Sequence, residues 1–132
     1  MSTEPANRVT VGVMVVDDQA VFRRVAHAVI EATEGFRPVG EAASGPEALL
    51  YADQLQPDLV LMDLQMPGMD GFKAARQLMD AHPHSVVVLI SLEDIEGLEA
   101  AVAACGAVGF VRKQDFGPRT LRDLWMSHGV AR

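Results

Sequence analysis

The sequence predicts a doubly wound α/β domain, a five-stranded parallel sheet with helices on both faces. Three observations predict it. Strand-like and helix-like segments alternate five times between residues 11 and 128, and such alternation calls for parallel strands joined by crossover helices. The strand-like segments are mostly continuous apolar runs, as in strands buried on both faces. No linker, low-complexity stretch or short-period repeat interrupts the 132 residues, a length that suits one domain.

The elements follow in order. Val11–Val16 is a continuous β-branched run and predicts the first strand. Ala20–Ala32 reads as a helix, with Phe22, Val25, Ala26, Val29 and Ile30 at helical spacing. Residues 37–42 form a shorter strand of mixed polarity, expected nearer a sheet edge. Ser44 and Glu47 stand at capping-box spacing with Pro46 in the first turn, which starts a second helix reaching residue 55. Residues 58–62 form the third strand, and Asp70 caps a third helix with Phe72, Ala75, Leu78 and Met79 inward. Residues 85–91 are a strongly β-branched fourth strand, and residues 94–105 a fourth helix stopped by Gly106. Residues 107–111 make the fifth strand and residues 118–127 the last helix, with Leu121, Leu124 and Trp125 on its core side. A flexible lead at 1–10 and a tail at 129–132 flank the domain. Five such units in the order 2-1-3-4-5 make a flavodoxin-like (βα)5 three-layer sandwich.

Composition narrows the function. Hydrophobic residues make up 49% of the chain, enough for a substantial core. A net charge of -7 argues against a basic, phosphate-tracking surface, so no direct nucleic-acid binding is expected. The lone Cys105 excludes an intrachain disulfide, suits a reducing cytoplasm and is read as a small buried hydrophobe. The N-terminus lacks an apolar signal core, and residues 100–111 are too short to span a bilayer. The expected location is the cytoplasm, with no membrane partner.

Open parallel sheets bind ligands beyond the carboxyl ends of their strands, where strand order reverses. Here that point lies between strands one and three. Strand one ends in Asp17-Asp18, strand three in Asp63, strand four in Ser91, and strand five runs on to Lys113. Singly, each has an ordinary structural explanation: a helix cap, a turn or a solvated lysine. Jointly, four of five strands deliver matched groups to one rim. Three carboxylates and one ammonium leave the rim negative and self-repelling, so either one carboxylate keeps its proton or a divalent cation sits there. Magnesium fits best, since it takes oxygen ligands from one or two carboxylates and waters. Neither histidine nor cysteine is placed to suit zinc. His82 and His84 read as a solvated loop, and His27 and His128 have no supporting ligands.

The stretches "VVDDQAVFRR", "LMDLQMPGMDG", "VLISLED" and "GFVRKQD" resemble the four signatures of receiver domains from two-component response regulators. The resemblance covers residues 11–128 and leans toward receivers that precede helix-turn-helix DNA-binding domains. It implies that Asp63 accepts a phosphoryl group from a sensor histidine kinase or phosphotransfer protein. It implies that Asp18 holds Mg2+ directly, Asp17 directly or through water, and the Gln65 backbone carbonyl as a further oxygen. Lys113 would pair with the phosphoryl group, Ser91 would donate a hydrogen bond to it, and Phe110 would turn inward. The altered surface would be helix four, strand five and helix five, a candidate homodimer face. A receiver of this kind is not an enzyme in its own right.

The chain departs from the family pattern at three positions. Leu92 stands where a small residue is usual and would crowd the phosphoryl pocket. Gln114 replaces a frequent proline, so the usual cis peptide is not expected. Phe110 lacks the hydroxyl of the commoner tyrosine. Gln65 and Glu93 occupy positions that, in the family, tune how a hydrolytic water is held. Two other classes stay open. One is a receiver-like interaction module that signals without phosphate. The other is an aspartyl-phosphate phosphatase, although such enzymes place a D-x-D pair after the first strand and this chain has an adjacent pair. A flavin-binding flavodoxin is weaker still, because no phosphate loop follows strand one.

Overall fold

The computed structural model describes residues 10–66, 68–94 and 96–129. Residues 1–9 of the expected lead, Pro67 of the turn after strand three and residues 130–132 of the tail lie outside the described residues. Five strands pair in parallel: β1 (Val11–Val16), β2 (Phe36–Ala42), β3 (Leu59–Asp63), β4 (Val86–Ser91) and β5 (Gly109–Arg112). Their order is β2-β1-β3-β4-β5, the expected one. The connecting helices are α1 (Ala20–Ala32), α2 (Gly45–Leu55), α3 (Gly71–Ala81) and α4 (Glu99–Ala104), and α5 (Pro118–Leu124) closes the set.

Alternation along the strands divides the interior in two. Val13, Val15, Leu59, Leu61, Val88 and Ile90 pack with Phe22, Ala26 and Ile30 of α1 and Leu121 of α5. Met14, Val16, Val60, Met62, Val87 and Leu89 face the other way, against Ala48 and Ala52 of α2, Ala74, Ala75 and Leu78 of α3 and Val102 of α4. Helices thus cover both faces, and β1, β3 and β4 are buried along their whole length. Each fully buried Val, Leu or Ile stabilises the fold by about 1.5–3 kcal/mol relative to exposure. That burial makes the central strands a stiff base for whatever their ends carry. The edge strand β2 is only partly buried, as its mixed polarity predicts.

Capping follows the sequence closely. Ser44 Oγ accepts a hydrogen bond from the Glu47 amide at 3.2 Å, and Glu47 Oε1 accepts from the Ala43 amide at 2.8 Å. The return bond of the box therefore lands one residue earlier than the usual pattern. Asp70 Oδ1 accepts from the Phe72 amide at 2.9 Å and caps α3. Cys105 is buried, and its thiol donates to the Val102 carbonyl at 3.1 Å.

Several elements differ from expectation, four of them as follows. The helix expected over 94–105 begins only at Glu99, because Gly97 takes a φ of +86° that a right-handed helix does not accommodate. β5 is shifted to Gly109–Arg112, in register with Val88 to Ser91 of β4. α5 stops at Leu124 and passes into a π-turn, Trp125–Gly129, so residues 118–127 are not one continuous α-helix. β3 runs one residue further than expected and includes Asp63, followed by a small antiparallel ladder of Gln65–Met66 with Met69–Asp70.

Candidate functional site

All five strands are parallel, so their carboxyl ends share one rim. Asp17 directly follows β1, Asp63 ends β3, Ser91 ends β4, and Lys113 opens the 3-10 turn Lys113–Asp115 directly after β5. Asp63 pairs with Ile90 in the β3–β4 ladder and Ser91 with Arg112 in the β4–β5 ladder, so sheet register sets their relative positions. Ligand oxygens of Asp17, Asp18 and Asp63 all lie within 4.8 Å of one another. Asp17 is wholly buried and Asp63 nearly so, whereas Asp18 is exposed at the mouth.

Lys113 closes the cluster. Its Nζ lies 2.6 Å from Asp17 Oδ2 and 3.6 Å from Asp63 Oδ2, and its side chain is only 7% exposed. The ammonium also sits 4.9 Å from the centroid of the Phe22 ring, a cation–π placement. Phe22 in turn meets Phe116 at 6.3 Å. Burial pushes the Asp63 carboxyl up from 3.8 to about 6, and the Asp17 charge adds to the rise. The Gln65 amide, which donates to Asp63 Oδ1 at 3.2 Å, and the Lys113 ammonium pull the other way.

The donor set suits magnesium. Asp17 Oδ2 is buried and accepts no hydrogen bond of good geometry, although Lys113 is its near neighbour. A buried carboxylate oxygen left in that condition is costly unless a cation takes it. Three carboxylates with ligand oxygens within 4.8 Å of one another are an all-oxygen donor set of the kind magnesium takes. Asp17, Asp18 and Asp63 are the residues that would hold the ion.

The remaining expected residues fall as follows. Gln65 is exposed beside Asp63. Ser91 is buried, and its Oγ accepts a hydrogen bond from the Glu93 amide at 3.1 Å. Phe110 is half-buried against the α2–α4 side of the core and lines a hollow of about 300 Å³ with Asp94, Val111, Arg112, Asp115 and Thr120. Leu92 is 59% exposed. It borders a groove of about 270 Å³ with Gln19, Val21, Phe22, Val25, Lys113 and Gln114. All peptide bonds among the described residues are trans.

Sequence reasoning missed several contacts. Arg23 Nη1 donates to the Asp17 carbonyl at 2.6 Å, and its Nε donates to Glu41 Oε1 at 3.1 Å. Gln114 Nε2 donates to the Leu92 carbonyl at 3.4 Å. His82 is not a solvated loop residue: its side chain is 12% exposed, with Nε2 2.7 Å from Asp53 Oδ1. His27 has two acidic neighbours, Glu31 at 3.4 Å and Glu41 at 3.8 Å. The only advance signal for any of these was Arg23, six residues after Asp17 inside the first quoted stretch.

Fold and site together define a doubly wound α/β signalling domain with an acid cluster at its switch point. Residues 13–124 match the family model of the response regulator receiver domain, and the chain belongs to that family. It is 37% identical over 101 residues to the response regulator GacA of Pseudomonas viridiflava, covering 76% of this chain and 47% of that protein. It is 39% identical over 107 residues to protein-glutamate methylesterase/protein-glutamine glutaminase 2 of Photobacterium profundum, covering 80% of this chain but 27% of that protein. The chain thus spans half or less of these curated relatives. Among solved structures, it resembles a LuxR-family two-component response regulator from Aurantimonas sp. SI85-9A1 with a TM-score of 0.83 and 28% identity over 93% of this chain and 87% of that one. It also resembles the chemotaxis protein CheY4 of Vibrio cholerae, TM-score 0.76 and 25% identity, over 90% of this chain and 98% of that one. No helix among the described residues is long and apolar enough to cross a membrane.

Proposed function

We propose that this domain is a phospho-accepting receiver in a two-component phosphorelay, with Asp63 as acceptor and a sensor histidine kinase or phosphotransfer protein as donor. One observation carries the reading: a nearly buried carboxylate at the end of β3, with two further carboxylates within 4.8 Å and an ammonium at 3.6 Å. An Asp63 oxygen attacks phosphorus and the bond to the donor imidazole nitrogen breaks. The electron pair stays with that nitrogen, and Asp63 becomes an acyl phosphate. Asp17, Asp18, Asp63 and the Gln65 carbonyl would hold magnesium, which when bound would offset charge on the phosphoryl oxygens. Lys113 supplies the remaining positive charge, and positioning with charge neutralisation is what phosphoryl transfer chiefly needs.

The output follows from the added charge. A phosphoryl group brings roughly two negative charges and three acceptor oxygens. Ser91 donates to it, and the loop after β4 moves with Ser91 because the Glu93 amide is bonded to the same oxygen. Phe110 turns inward, which alters the face made by α4, β5 and α5, a candidate homodimer surface. The shift is decisive when the group favours the active conformer by a few kcal/mol. The domain itself binds no nucleic acid or membrane and works in the cytoplasm. Asp63→Asn is expected to abolish labelling by acetyl phosphate; undiminished labelling overturns the assignment.

A second reading is an interaction module that signals without phosphate, and Leu92, which shares a groove with Lys113, favours it. Beryllofluoride with magnesium separates the two. Resonance shifts at Ser91, Phe110 and α4 support the receiver, and silence supports the module.

A further inference from the structure

We propose that Arg23 is a positioning residue for the cation site, acting through the Asp17–Asp18 peptide. The proposal rests on the magnesium reading above. The two acids sit where β1 gives way to α1, a junction at which Gln19 supplies no side-chain cap to the helix. Something else must fix the chain there. The Asp17 amide donates to the Ala42 carbonyl of β2 at 3.0 Å, which holds one side of the residue. Its carbonyl, on the other side, accepts from Arg23 Nη1 at 2.6 Å. The same guanidinium donates from Nε to Glu41 Oε1 at 3.1 Å, and Glu41 is the neighbour of Ala42 on β2. The bonds close a ring through Asp17, Ala42, Glu41 and Arg23. Two donors of one planar fork are used in fixed directions, which a lysine cannot reproduce.

The consequence falls on Asp18. The Asp17 carbonyl and the Asp18 amide share one rigid peptide plane. Fixing that carbonyl therefore fixes the Asp18 amide and Cα, the atoms from which its side chain departs. Asp17 Oδ1 is already turned toward the Gln19 amide at 2.9 Å, which leaves Oδ2 aimed into the cluster. Arg23 ion-pairs with Glu41 rather than with a carboxylate of the cluster, so its place is to hold the backbone and not to fill the site. Supporting partners of metal ligands commonly matter by 10- to 100-fold in affinity.

Charge and position predict opposite signs, which makes the proposal testable. If Arg23 acted only as a nearby positive charge, Arg23→Gln would tighten cation binding and Arg23→Lys would leave it alone. As a positioning residue, both substitutions weaken binding, by roughly tenfold for the lysine. The experiment is a magnesium titration of the whole protein, followed by the amide resonances of Asp18, Gln19 and Leu64. Glu41→Ala is expected to weaken binding by a smaller factor, because it frees the far end of the fork. Glu31→Ala removes the same charge outside the ring and is expected to leave affinity unchanged. Acetyl-phosphate labelling of the Arg23 variants should recover at saturating magnesium, since the loss lies in affinity and not in the plateau rate. Wild-type affinity in Arg23→Lys, or tighter binding in Arg23→Gln, overturns the proposal. Should Arg23→Lys fail to fold, wild-type affinity in a folded Glu41→Ala does the same. A wild-type protein with no saturable response at these amides would overturn the magnesium reading itself, a failure visible before any variant is compared.

Discussion

The Nζ of Lys113 lies 2.6 Å from Oδ2 of Asp17, and that oxygen has no other partner among the described residues. Lysine and aspartate enter from different strand ends, β5 and β1, so the pair bridges the rim across β3 and β4. Removing one member of a buried ion pair leaves the other uncompensated, at a cost of about 3–5 kcal/mol when fully enclosed. Here Asp18 opens the cluster to water, which lowers the cost. Lys113→Ala is expected to destabilise the metal-free protein by about 2 kcal/mol, and magnesium should recover part of the loss. Urea denaturation with and without magnesium checks both statements. Equal stability of variant and wild type without magnesium would contradict them.

The raised Asp63 carboxyl gives a pH dependence with a definite sign. Its value in the fold is about 6 against an ordinary 3.8, so the folded state binds the extra proton between those limits. Stability from this group is therefore full below 3.8, declines as pH rises toward about 6, and is flat above. The full shift would correspond to about 3 kcal/mol, and solvent screening at the open mouth reduces that to about 1–2 kcal/mol. Asp63→Asn should thus be more stable than wild type at pH 7 without magnesium, and the difference should shrink toward pH 4. Paired denaturation curves in chelator across that range measure it.

The parts of this fold that were legible are those written in side-chain periodicity. β1 and α1 fall on their expected residues because a continuous apolar run and a 3.6-residue stripe are both unambiguous. α4 was overestimated because its Ala- and Glu-containing sequence looks helical on both sides of Gly97, and only the backbone angle there separates them. The site acids were legible for a topological reason: parallel strands bring their ends to one rim whatever their separation in sequence. Arg23 was not, since its partner is a backbone carbonyl. A bond to the main chain leaves no matching residue type to find. Phe22 was read correctly as core, but its second role beneath the Lys113 ammonium needed coordinates.

Ser91 joins acceptance to output, and the two are separable. Its oxygen already accepts from the Glu93 amide, which leaves the hydroxyl hydrogen free to be donated. Ser91→Ala removes that donor without touching Asp63, Asp17 or Asp18. The variant is expected to keep acetyl-phosphate labelling of Asp63. It should lose most of the beryllofluoride-induced shifts at Phe110 and α4. Full-sized shifts in the variant would show that the hydroxyl does not carry the signal.

Gly71 places Asp63 from behind. A Cβ built at Gly71 would lie 2.6 Å from the Asp63 carbonyl oxygen, 2.7 Å from the Leu64 Cα and 2.8 Å from the Leu64 carbonyl oxygen. All three are backbone atoms next to the acceptor, so no side-chain rotation relieves the contact. α3 must therefore start on a residue without a side chain, and its capping residue Asp70 fixes where that start falls. Gly71→Ala forces either α3 or the end of β3 to shift, at a cost of about 1–3 kcal/mol. It should also weaken magnesium binding, because Asp63 moves relative to Asp17 and Asp18. Gly68→Ala gives the comparison: its φ of +69° costs strain but its Cβ meets nothing within 4 Å. That variant is expected to lose stability with little change in magnesium affinity. Denaturation and magnesium titration on the two variants distinguish a crowded acceptor from a strained turn, and equal affinities would mean that Gly71 serves the helix alone.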